Sequence, residues 1–183
     1  MQSMVRAILF LALLSACSGI PTTPQTVPSI TMEAPPTSAP ANPQDCNYQW
    51  AYQDVPELSN GFQQSLQALQ PEAQGNAYIF GENCILSDGS IGAFLARETD
   101  FNITLQVSDL NDEEDLGKWI KKVMQVITEI PPEQIVGPVP GRVSLVFQSG
   151  GDQRAINFGI DQFQNLPPDL SDTEMFQALQ VPQ

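Results

Sequence analysis

Two groups of carboxylates are the side chains in this 183-residue sequence whose types and spacing could do chemistry. The run Asp109-Leu110-Asn111-Asp112-Glu113-Glu114-Asp115 places five carboxylates within seven residues. Its alternation of Asp109, Asn111 and Glu113 matches the start of a calcium-binding loop. The rest of that pattern fails, because Glu114 stands where the loop needs glycine and Ile120 where it needs a bidentate glutamate. Carboxylates opening a helix accept from its free N–H groups and oppose the positive end of its dipole. That reading is preferred and no metal site is assigned, with weak cation binding by the five clustered carboxylates as the alternative. The second group is Arg97-Glu98-Thr99-Asp100. A pair of carboxyls flanking a sugar cleft can hydrolyse a glycosidic bond, one as acid and one as base or nucleophile. Neighbouring residues between two strands fit a turn with a local ion pair more simply.

Other chemistries are excluded by composition. There is no histidine, which removes Ser-His-Asp and Cys-His catalysis and His-containing zinc sites. The 21 acidic residues against 7 basic ones set a formal charge of −14, so neither nucleic acid nor an anionic membrane surface is attracted. Twenty glutamines against three lysines mean that the polar surface is built largely of uncharged amides. Gly137, Gly141, Gly150 and Gly151 lack the spacing of a phosphate loop. Asn102-Ile103-Thr104 is a glycosylation sequon in form only, since it falls in an expected strand. Tyr48, Trp50 and Tyr52 cluster beside Cys46, where packing on a disulfide is expected, with ligand contact as the alternative. No catalytic residue and no cofactor is assigned.

The N-terminus carries an address. Met1 to Arg6 is short and positively charged, and Ala7 to Leu14 is wholly apolar. Eight apolar residues fall well short of the roughly 20 needed to cross a bilayer, but suit the core of an export signal. Leu14-Ser15-Ala16-Cys17 then resembles the lipobox of bacterial lipoproteins. The resemblance covers this segment alone. It implies diacylglyceryl transfer to the Cys17 thiol, cleavage after residue 16, and acylation of the new N-terminus. Two or three acyl chains anchor a protein stably where one is marginal. Ser18 is not the aspartate associated with inner-membrane retention, so in a host with two membranes the resemblance favours the outer one. An ordinary signal peptide with Cys17 incidental is the alternative.

Residues 17–45 then read as the acylated cysteine and a tether. Seven of the sixteen prolines fall between Ser18 and Asp45 among Thr, Ser, Ala and Gln, without apolar periodicity. Proline fixes φ and removes backbone donors, so polyproline-II or coil is expected, roughly 30 Å long as a coil and at most about 87 Å when extended. Cys46 and Cys84 remain as an even pair in an exported chain, which suits a structural disulfide. Two buried thiols or a redox pair are the alternatives, the latter without a C-x-x-C spacing to support it.

The elements that must position these residues lie in 46–183, expected as one domain. Asp54-Val55-Pro56-Glu57 reads as a helix start, with Leu58, Phe62, Leu66 and Leu69 at helical spacing and Pro71 as the stop. Ala77–Leu86 and Ile91–Glu98 read as strands about an Asp88-Gly89 turn. Phe101, Ile103, Leu105 and Val107 alternate with Asn102, Thr104 and Gln106, a half-buried third strand. Asn111–Ile130 carries an apolar stripe of Leu116, Ile120, Val123, Ile127 and Ile130 with lysines opposite. Val143, Leu145 and Phe147, then Ile156, Phe158 and Ile160, predict two strands about Ser149–Asp152. Ser171-Asp172-Thr173-Glu174 is a capping box for a short last helix. The expected order is α-βββ-α-ββ-α: a two-layer α+β domain with an antiparallel five-stranded sheet and helices on one face.

These readings together point to a lipoprotein held to a membrane by its anchor, its domain outside the cytoplasm, binding a protein or other component of the cell envelope without catalysis. The wet strand face with Asn102, Thr104, Gln106, Ser144 and Gln148 is the candidate contact surface. A carboxylate-dependent glycan hydrolase using Glu98 and Asp100 is the alternative.

Overall fold

The computed structural model describes residues 46–180; the lipobox cysteine Cys17, the signal segment and the tether lie outside them. Among the described residues no helix is long and apolar enough to cross a membrane. The order is β1 (Asn47–Asp54), α1 (Pro56–Leu69), β2 (Gln74–Ile85), β3 (Ile91–Gln106), α2 (Glu113–Thr128), a 3-10 turn at Pro132–Gln134, β4 (Arg142–Ser149), β5 (Asp152–Gly159), α3 (Ile160–Gln164) and α4 (Asp172–Leu179). The class is α+β with a strongly curled five-stranded sheet in the order β1-β2-β3-β4-β5.

The sheet is mixed rather than antiparallel throughout. β1/β2, β2/β3 and β4/β5 are antiparallel, but β3 and β4 run parallel, with Phe101 beside Val143 and Gln106 beside Gln148. A tight turn forces antiparallel pairing; a helix-length connection lets the chain return and re-enter the sheet in the same direction. α2 is that connection.

The five strands are also not the five expected. Residues 91–106 form one continuous strand, and Thr99 and Asp100, read as a turn, are buried within it at 1% and 5% exposure. Their polar side chains hold the segment that leads from α2 into β4. Thr99 Oγ1 donates to the Val136 carbonyl at 2.7 Å and accepts from the Val136 N–H at 2.9 Å. Asp100 Oδ1 accepts from the Arg142 N–H at 2.7 Å. Gly141 passes so close to this strand that a Cβ would strike the Thr99 carbonyl, which leaves room only for glycine. The fifth strand is β1, whose alternation of Tyr48, Trp50 and Tyr52 with Gln49, Ala51 and Gln53 has the strand period. Asp54 ends this strand instead of capping α1, whose N-cap is Val55 without a side-chain bond.

Helix positions follow their stripes. Leu58, Phe62 and Leu66 of α1, Leu116, Ile120, Val123 and Ile127 of α2, and Met175, Phe176 and Leu179 of α4 share one core with Phe101, Ile103, Leu105, Val143, Leu145, Phe147, Ile156 and Phe158. Asp112 caps α2, accepting from the Asp115 N–H at 3.0 Å. Ser171 and Glu174 form both bonds of the capping box on α4. Mid-helix Gly117 costs α2 roughly 1 kcal/mol of propensity, and its reason is tertiary: a Cβ there would overlap the Asp172 carbonyl where α4 crosses. Ile160, expected in the last strand, opens α3.

The disulfide joins Cys46 to Cys84, with Cα atoms 4.8 Å apart. It closes the N-terminal end of β1 onto the far end of β2, where Tyr48 lies opposite Cys84.

Candidate functional site

Alternation along each strand sends successive side chains to opposite faces, so the register states which residues share the face turned from the core. Opposite partners Asn102↔Ser144, Thr104↔Val146 and Gln106↔Gln148 lie on that face, and all are half-exposed. The five residues expected as a contact surface are therefore brought together. Gln106 Nε2 donates to Gln148 Oε1 at 2.9 Å, which fixes one end of the set. Across β2, Asn76 pairs with Asn102 and Gln74 with Thr104. Together Gln74, Asn76, Asn102, Thr104, Ser144 and Val146 help line a shallow hollow of about 220 Å³.

For the other half of the face, the β1 aromatics, sequence reasoning held ligand contact only as the alternative to packing on the disulfide. Tyr78 opposes Asp54 and Asp100, Phe80 opposes Tyr52 and Glu98, and Glu82 opposes Trp50, so the β1 aromatics lie on the same side as the amides. Trp50 and Tyr52 are 65% and 67% exposed. They stand against β2 rather than packing on the disulfide. Trp50 stacks on Phe80 with centroids 5.0 Å apart and 18° between planes; Tyr52 meets Phe80 at 5.2 Å and Tyr78 edge-on at 5.1 Å. Such pairs add about 0.5–1.5 kcal/mol beyond area burial. The period-two spacing of the β1 aromatics was the signal for this row.

Glu98 and Asp100 sit two residues apart on the same face, between the aromatic row and β4. Burial pushes the Asp100 carboxyl above its ordinary value, against the lowering effect of the Arg142 N–H and guanidinium. Burial also raises Glu98, helped by Asp100 and Asp161 and opposed by Arg142. Tyr78 is raised by burial first, then by Asp100 and Tyr52, against a hydrogen bond with Asn102. The ion pair of this region is not local: Arg97 reaches across to Glu82 at 3.4 Å. A bulge opposite Phe80 and Gly81 shifts the register so that Glu98 faces Phe80 and Ala96 faces Gly81, leaving Arg97 as the extra residue.

The raised Asp100 supplies a prediction with a defined sign. A carboxyl whose folded value lies above its unfolded one adds stability below the ordinary value of 3.8, and that stability is lost as pH rises through the folded value. Asp100→Asn keeps an oxygen for the Arg142 N–H and removes the buried charge. It is expected to be at least as stable as the parent at pH 7 and to flatten the fall in stability above pH 3.8. Asp100→Ala strands the N–H and loses about 1–3 kcal/mol. Urea unfolding of both variants from acid to neutral pH checks this; equal destabilisation by Asn and Ala would remove the buried charge from the account.

The acidic run near α2 is dispersed into structural bonds. Asp109 accepts from the Asn111 N–H at 2.8 Å, Asp112 is the cap, and Glu114 pairs with Lys118 at 2.6 Å. Glu113 takes Arg154 at 2.9 Å and Gln177 at 2.7 Å, and those bonds hold its carboxyl below the ordinary range. Arg154 also lies over the Phe176 ring at 4.5 Å, so this carboxylate joins α2, β5 and α4. Comparison of the chain with protein-family models, curated proteins and solved structures finds no match.

Proposed function

We propose that the chain is a lipoprotein anchored through Cys17, whose domain serves as a non-enzymatic binding module facing the cell envelope and contacting its partner through the open face of the sheet. One observation carries the reading: two largely exposed aromatic rings, held in place by Phe80 and Tyr78, share one sheet face with a hollow lined mainly by amides and hydroxyls. Soluble domains place large aromatics mostly inside, and a contiguous exposed group on a rigid sheet marks a contact site.

Cys17→Ser is expected to release the protein from membranes, and unchanged partitioning would sink the anchor. The released chain, immobilised, is expected to retain material from an envelope extract. Trp50→Ala with Tyr52→Ala should abolish that retention; equal retention by both forms would remove the open face from the proposal.

A second reading, carboxylate-dependent glycan hydrolysis, draws on Glu98 and Asp100 sharing this face beside Tyr78. It requires turnover that Glu98→Gln abolishes. Binding is preferred because Asp100 already holds the Arg142 N–H.

A further inference from the structure

The open face has a composition that selects among ligands. Its rings are Trp50, Tyr52, Tyr78 and Phe80, and beyond them come Asn76, Asn102, Thr104 and Ser144, with Val146 in the hollow and Leu95 opposite Glu82 as aliphatic neighbours. Protein interfaces bury an apolar centre depleted in charge inside a polar rim. Here the aromatic row lies at one side, and carboxylates lie between it and the amides. An aromatic face is negative at its centre and attracts weakly positive C–H groups. A pyranose ring presents C–H groups on its faces and hydroxyls at its edge. Trp50 is braced on Phe80, and Tyr52 on Phe80 and Tyr78, while both remain largely exposed, which suits stacking of such a ring. Amides and carboxylates are planar groups that pair with vicinal hydroxyls.

Two further observations narrow the class. The hollow of about 220 Å³ is smaller than the roughly 300–1,000 Å³ of pockets that engulf a whole ligand. It suits one unit of an extended chain lying across the sheet. Asp54, Glu82, Glu98 and Asp100 share the face with Arg97 and Arg142, its two cations among the described residues, and Arg97 is paired with Glu82. The face is therefore net negative and repels polyanions.

We infer that the open face binds an uncharged glycan, stacking pyranose rings on Trp50 and Tyr52 and holding hydroxyls with Asn76, Asn102 and Ser144. The inference rests on the binding-module reading and names its ligand class.

The test uses the Cys17→Ser chain, whose two tryptophans supply two indole N–H signals. Trp50→Phe assigns the one from β1. Titration with chitotetraose and cellotetraose is expected to move that signal with at least one of them, and the polyanionic tetragalacturonate should leave it in place. Trp50→Ala and Asn102→Ala should each weaken binding at least tenfold, with Trp50→Ala leaving the domain folded and lowering the melting temperature only by the loss of its stack on Phe80, because its ring lies outside the core. A Trp50 signal unmoved by both neutral sugars at millimolar concentration overturns the inference. If retention from envelope extract still depends on Trp50 and Tyr52 in that case, the face takes another partner, such as a protein strand added to β1, and the binding-module reading stands. If retention is also independent of them, both fall.

Discussion

Phe101→Ala is expected to lower the free energy of unfolding by about 3–5 kcal/mol, the range for deleting a buried aromatic side chain. Phe101 is fully buried in the middle of β3. It lies between Ala77 of β2 and Val143 of β4, where the antiparallel and parallel halves of the sheet meet. Its ring meets Phe62 of α1 edge-on at 4.9 Å, so the substitution removes both a cross-layer aromatic pair and the volume behind it. Neighbours on two strands and a helix cannot collapse together into the space. Small domains hold only about 5–15 kcal/mol in total, so the variant should unfold at a much lower urea concentration with an unchanged slope. A loss below about 1 kcal/mol would show that the layers are not locked at this point.

Removing the disulfide by Cys46→Ser with Cys84→Ser is expected to have an effect of similar size but different distribution. The bridge spans 38 residues, and the chain-entropy account assigns such a loop about 4 kcal/mol. β1, however, contributes no residue to the core. Its eight residues are held by pairing to β2, by the rings around Phe80, and by the bridge at its beginning. A strand held in this way opens before the rest of the domain, since local stability follows buried contact. Amide exchange at Tyr48–Tyr52 should therefore rise well ahead of exchange in Phe101–Leu105. Global unfolding should weaken by at most about 4 kcal/mol. Since Trp50 and Tyr52 ride on β1, ligand retention should fall with the bridge while the core remains folded. Unchanged protection in β1 would show that the ladder and rings suffice.

Much of the architecture was legible because it depends on periodicity. The 3.6-residue stripe from Leu116 to Ile127 and the alternation from Phe101 to Leu105 name the buried face of each element without reference to any other. Capping of α2 by the carboxylates of the acidic run, and of α4 by Ser171, was equally readable, as the groups that satisfy one another lie close in the chain. Misreadings fell where a polar residue's partner is distant in sequence. Thr99 and Asp100 resemble turn residues until Val136 and Arg142 are seen to bond them. Half of the candidate site was found in advance, because the amides alternate with core residues on β3 and β4. The aromatic half was held only as an alternative, since the strand period of Tyr48, Trp50 and Tyr52 was read first as a cluster on a disulfide.

By itself the sequence determined the α+β class, the apolar faces of the main helices and of β3 to β5, and a surface of amides and carboxylates without histidine, and it favoured the pairing of Cys46 with Cys84. These depend on residue type and near spacing, which are properties of the chain. Only the tertiary structure decided that β3 and β4 run parallel, that residues 91–106 form one strand, and that Trp50 and Tyr52 share one sheet face with Asn102 and Ser144. Each of those depends on groups far apart in sequence meeting across a curled sheet, where burial and a distant hydrogen-bond partner outweigh local propensity.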